Sequence, residues 1–310
     1  MTAVAHPAQL QRDQRPLMRR LAVASEPWLY SSPALILIIA VMLVPLALGI
    51  SYAFRDVRLL NPFSGGFVGL QHFEALAGDK NFARALKNTL LWAGASVFFQ
   101  FTFGLILALL LDRPFRGRAI AQALVFLPWA VPSFLSGLNW AWLFNPVVGP
   151  LPHWFFALGL FDAPNNILSD PQHAMWGPII ANVWWGIPFF AITLLAALQA
   201  IPRDLYEAAS IDGANAWDRF WHVTIPLLLP VLTIVMLFSI IQTFSDFQIV
   251  QVLTRGGPTD TTHLFGTLAF QTGMQGGRLG QGAAVALFML PFLGLLTIAQ
   301  LWYTRRNASL

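Results

Sequence analysis

Apolar and charged positions alternate along the chain in blocks too long for a soluble fold. Six runs almost free of charge stand out, over roughly 29–54, 88–111, a tract after Arg118 ending near Phe144, 174–200, 223–250 and 279–304. A helix needs about 20 apolar residues to cross the hydrocarbon core of a bilayer, so each run predicts a membrane span. The predicted fold is all-α and integral to the membrane, with six transmembrane helices. The first run is too long for the core of a signal peptide. The expected layout is a flexible N-terminal tail over 1–28 and a transmembrane domain over 29–305, with its core at 86–304. Pro45, Pro128, Pro132, Pro188 and Pro291 lie inside the runs, where kinks can either line a pathway or simply serve packing.

Composition sharpens this picture. Only 10% of the 310 residues are charged and 56% are hydrophobic, against about 25% charged in soluble domains. The formal net charge is +4, but the 18 Lys and Arg are scattered around the apolar runs and form no basic face for nucleic acid. They are better read as topology signals. Eleven of the 18 fall in the N-terminal tail, the 112–118 loop, the 201–221 loop and the C-terminal tail, while the 145–173 connection has none. Positive residues favour the cytoplasmic side, so both termini are expected there. With no cysteine there is no disulfide framework.

Between the fourth and fifth runs lies EAASIDGANAWDRFWHVTIPLLLP, residues 207–230, which carries Glu207, Asp212, Asp218 and Arg219. Pro202 followed by Asp204 marks a helix start. Leu205, Ala208 and Ala209 then share one helix face, and beyond Gly213 a second short helix aligns Trp217, Phe220 and Trp221, with Pro226 ending it or starting the next span. Helices this short rise about 12 Å and cannot span. They are also marginal alone in water, so something must cover their exposed face. A hairpin on the lipid surface is one candidate. Its acidic residues outnumber Arg203 and Arg219 beside an anionic leaflet, which favours a protein partner.

Glu207, Ala208, Ala209 and Gly213, followed by Val223, Ile225 and Pro226, resemble the EAA loop of binding-protein-dependent ABC importer permeases. Val223 and Ile225 are conservative departures from that pattern. Phe247, Leu253, Thr254, Gly256, Gly257, Pro258 and Thr262 are similar to the loop of the maltose-type first permease subunit, with Gln248 where Asp is usual and Gln251 where Tyr is usual. The resemblance implies that a coupling loop over 201–222 docks on a separate ATPase through Glu207, Ala208, Ala209, Asp212, Gly213 and Phe220. It also implies a bacterial inner-membrane assembly with a second permease subunit, two ATP-binding subunits and an extracytoplasmic solute-binding protein. That binding protein would meet connections 55–87, 145–173 and 251–278, although Trp154, Phe155 and Phe156 equally suit an interfacial belt.

The chain itself reads as a transport subunit and not an enzyme. Its two lysines, Lys80 and Lys87, follow no phosphate-loop spacing, and its six histidines form no ligand cluster. No cofactor or metal is expected on this chain, ATP and Mg belonging to the partner. The competing class is an ion- or proton-coupled secondary transporter, which would want ionisable groups deep in the spans. Only Asp246 approaches that description, and it lies about 30 Å of helical rise beyond Pro226, at the outer boundary. For a sugar-type substrate, Asn139, Trp140, Asn182, Gln242 and Asp246 are the candidate path residues, since polar groups and an aromatic ring suit a neutral sugar. Interhelical hydrogen bonding is the competing role for each. Ser96, Gln100, Ser136, Trp185 and Ser239 share the same polar stripes.

Overall fold

The computed structural model describes residues 17–61, 63–160 and 167–307. Apart from two isolated bridges, every regular element among them is helical. The chain divides into two compact units, Met1–Ser51 and Tyr52–Leu310. In the first, α1 (Leu17–Ile38) passes through a wide π-type turn, Ile39–Leu43, into α2 (Val44–Tyr52). Trp28–Tyr52 is long and apolar enough to span. Residues 17–28, expected within a flexible tail, are helical, in keeping with good helix formers such as Leu17, Met18, Arg19, Arg20 and Leu21. The rest of that tail lies outside the described residues.

The second unit is built around α4 (Lys80–Asp112) and α8 (Trp176–Gln199), which follow the short α3 (Gln71–Ala77) and pack along one another. Glycine permits the close approach: a Cβ at Gly186 would run into the Gln100 amide. Lipid is as apolar as leucine, so packing and interhelical hydrogen bonds hold such helices together. Gln100 supplies two of these. Its Nε2 donates to the Asn182 carbonyl at 2.9 Å, and its Oε1 accepts from Ser239 Oγ at 2.9 Å.

The third run is not one straight helix. It splits into α5 (Arg118–Ala130) and α6 (Ser133–Leu143), bent by 93° at Val131 and Pro132. Pro132 has no N–H and biases the residue before it away from helical geometry, so Val131 is extended. Trp185 on α8 meets the freed Val131 carbonyl, its Nε1 donating at 2.8 Å. Beyond α7 (Pro150–Ala157) and α8 comes the hairpin of α9 (Arg203–Ile211) and α10 (Ala216–Arg219). Pro226 does not end that second short helix. Through a π-type turn at Phe220–Thr224, α10 runs on into α11 (Ile225–Ser245), and Pro226, which has no N–H to donate, sits just past this wide turn.

The fifth run is interrupted too, at Asp246 and Phe247, before α12 (Gln248–Leu253). A further short helix, α13 (Phe265–Phe270), precedes α14 (Leu279–Leu287) and α15 (Met289–Asn307). Among the described residues, five helices can cross a membrane by length and composition, or six if the bent α5 and α6 count as one span. One apolar cluster joins α4, α8 and α11 through Val97, Leu111, Phe190, Leu194, Leu228 and Leu232. Another gathers Phe82, Phe244, Phe265, Leu268 and Val285 from α4, α11, α13 and α14.

Candidate functional site

Two places bring the sequence-predicted residues together. The first is the hairpin. The Asp212 amide donates to the Ala208 carbonyl and the Ala214 amide to that of Ala209, closing α9 with Gly213 at φ +83°. A left-handed residue just past a helix end is the usual glycine stop. Asn215 Oδ1 then accepts from the Trp217 and Asp218 amides at 2.8 and 3.0 Å, while Asp218 Oδ2 accepts from the Asn215 amide at 3.1 Å. This reciprocal cap starts α10. Arg219 Nη1 donates to Ser210 Oγ at 2.8 Å and Tyr206 Oη lies 3.0 Å from Thr224 Oγ1, tying the two arms.

What the hairpin leaves open matters as much. Ile211 is 87% exposed and Trp217 68%. Glu207, Ala208 and Asp212 are exposed beside them, and Glu207 forms no ion pair among the described residues. Phe220 is half-buried and packs on Trp217 and Trp221. A structured hairpin that keeps large apolar side chains and a bare carboxylate on its outside has the make-up of a protein contact.

The second place is a cavity of about 240 Å³ where both helix breaks meet. Ser133 starts α6 after the bend, and its Oγ donates to Gln248 Oε1 at 2.9 Å. Asp246 Oδ1 accepts from the Gln248 amide at 2.8 Å. Trp185, Gln242, Ser245 and Phe247 complete the lining. Gln242 and Asp246 thus line one cavity. Asn139, Trp140 and Asn182 are not among the lining residues. Asn139 is exposed on α6, and Trp140 packs against Phe144 and Trp184 with centroids 5.6 and 5.9 Å apart. Asn182, on α8, is 1% exposed, its backbone carbonyl accepting from Gln100 of α4. The sequence reading missed Ser133 and Gln248 here. Serine directly after a mid-span proline was the available signal.

The glycine and threonine motif after α12 is an architectural knot. Thr262 Oγ1 donates to the Gly257 carbonyl at 2.6 Å and stands 2.7 Å from Thr254 Oγ1. Asn88 on α4 donates to the Thr261 and His263 carbonyls at 2.7 and 3.1 Å. His263 is buried beneath the loop, its Nδ1 3.1 Å from Thr267 Oγ1. Its Nε2 lies 3.2 Å from Asp260 Oδ1 without hydrogen-bond alignment. Burial lowers the His263 pKa below its ordinary value, and the Asp260 carboxylate opposes that shift. Among the described residues no group of His, Asp or Glu is arranged to hold a metal ion.

Residues 100–309 match the family model described as the binding-protein-dependent transport system inner membrane component. The chain belongs to this family of ABC importer permeases. It is 37% identical over 235 residues to a trehalose/maltose transport system permease protein of Thermococcus litoralis, covering 76% of this chain and 79% of that one. To the sn-glycerol-3-phosphate transport system permease protein of Yersinia enterocolitica it is 32% identical, covering 91% and 94%. Among solved structures, a bacterial ABC transporter involved in the import of the acidic polysaccharide alginate superposes with a TM-score of 0.78 at 25% identity, over 93% of this chain and 99% of that one. Membership in this multi-pass inner-membrane family replaces the ion-coupled secondary transporter as a reading.

Proposed function

We infer that this chain forms one half of the translocation path of an importer for a sugar or sugar derivative, driven by ATP hydrolysis on separate subunits. The observation that carries the coupling role is the α9–α10 hairpin, whose folded arms hold Glu207 and the Trp217 face outward. In this reading Glu207, Ala208, Ala209, Asp212, Gly213 and Phe220 form the contact with the ATPase. Glu207 pairs with a basic side chain there, most favourably a bidentate arginine. The continuous backbone from α10 through Phe220–Thr224 into α11 supports transmission of ATPase closure to the span. ATP and Mg reside on two ATP-binding partners, and the hairpin side and both termini face the cytoplasm.

Relatives named for trehalose and maltose, for glycerol phosphate and for alginate support a carbohydrate-type cargo. Gln242, Asp246, Ser133 and Gln248 offer hydrogen-bonding groups beside the Trp185 ring, the mixture that orients a sugar. At about 240 Å³ their cavity is smaller than an ordinary ligand pocket of about 300–1,000 Å³. A second permease subunit facing it completes the site, and a solute-binding protein delivers the cargo from the far side. The coupling is tested by Glu207→Lys in the assembled transporter. Uptake should fall by more than about tenfold, because a charge pair at an interface becomes a repulsion, while ATP hydrolysis persists. Wild-type uptake in this variant would refute the pairing.

A further inference from the structure

A larger cavity, of about 790 Å³, lies on the hairpin side of the second unit, between the ends of α4 and α8, the start of α5 and the hairpin itself. Arg113, Arg118, Arg203 and Arg219 line it, against the single carboxylate of Asp112. Two of these arginines come from the 112–118 loop and two from the hairpin, so tertiary structure assembles the charge. Arg118 is the telling member. Its Nε and Nη2 are buried without a hydrogen-bond partner among the described residues, and the Asp112 carboxylate stands 3.7 Å from Nη2. A buried guanidinium nitrogen left unmatched is costly unless an anion completes it. Arg219 is already engaged by Ser210, which fixes its position at the rim.

We propose that this cavity binds a phosphate group, and that its source is the headgroup of an anionic phospholipid. Guanidinium forks match the paired oxygens of a phosphate. The rest of the lining suits the lipid source. Leu109, Leu198 and Ile201 form an apolar wall beside the arginines, where the spans α4 and α8 end and headgroups lie. The site touches both the membrane helices and the hairpin, so an occupied site braces the hairpin against the spans. The choice of leaflet rests on the orientation proposed above; the phosphate chemistry does not.

The test uses the assembled transporter in bilayer discs of phosphatidylcholine with or without phosphatidylglycerol, without cargo or ATP. Lipid retained after detergent extraction is counted by native mass spectrometry. Wild type should retain phosphatidylglycerol in preference, Arg118→Gln with Arg203→Gln should lower retention about tenfold, and Asp112→Asn should raise it. The last change has the opposite sign and cannot come from misfolding. Displacement by millimolar inorganic phosphate alone, with no preference among lipids, assigns the same phosphate site to a free ion. Equal retention in all three proteins, together with no phosphate binding, overturns the proposal. Because no transport step is measured, that failure leaves the coupling reading untouched.

Discussion

Replacing Gly213 by valine separates the hairpin from the membrane fold. Gly213 sits at φ +83°, and a side chain added there would meet nothing within 4 Å. The whole cost is therefore backbone strain, about 1–2 kcal/mol for an L residue in the left-handed region, with a β-branched residue at the upper end. The hairpin has little to set against it. The nine-residue arm α9 does not persist alone, and each local hydrogen bond, such as Arg219 to Ser210, contributes only about 0.5–1.5 kcal/mol net. Gly213→Val should shift the closed hairpin population by a factor of about 5 to 30. Gly213→Asn should nearly restore it, since asparagine tolerates this backbone region. The assay is retention of the ATPase on the tagged permease, with thermal stability of the permease measured alongside. Valine should weaken retention and leave stability unchanged. Equal retention by the valine and asparagine variants would refute the reasoning.

Two further outcomes follow from the far side of the hairpin. Gln242→Ala with Asp246→Ala should remove most cargo uptake while basal ATP hydrolysis and assembly persist; unchanged uptake would clear these residues of a role in the path. His263 gives a pH signature. Its folded-state pKa lies below the ordinary value of about 6.5, so as pH falls through 6.5 the unfolded chain takes up a proton that the buried ring refuses, and stability drops. Thermal stability should decline from neutral pH downward, and His263→Gln should lessen that slope. An identical slope in the variant would contradict the assignment.

The apolar runs revealed most of the fold because lipid demands long uncharged helices, and the hairpin was legible because its charges and its Gly213 sit where no span can. What the runs concealed were the breaks. Pro128 and Pro132 both interrupt the third run, yet only Pro132 turns the chain by 93°. The carbonyl that this turn exposes, that of Val131, is satisfied by Trp185, 54 positions further along the chain. Asp246 looked like the wet end of a helix and is the residue at which α11 stops, its carboxylate holding the next turn at the Gln248 amide. Asn182 and Gln242 carry equivalent amides on equally apolar helices. Only tertiary packing sets one against α4 and the other at a cavity. The arginine cavity was invisible for the same reason, its members lying on segments some 90 residues apart.

The claim on which the rest depends is that the α9–α10 hairpin seats in an ATP-hydrolysing subunit. The chain has no cysteine, so Ala208→Cys places a single thiol on the exposed face of α9. A short thiol-to-amine crosslinker applied to the active assembly should join this position to the ATPase, in a yield that changes when a non-hydrolysable ATP analogue closes the motor. Full transport activity with no ATPase adduct, in either nucleotide state, would contradict the account.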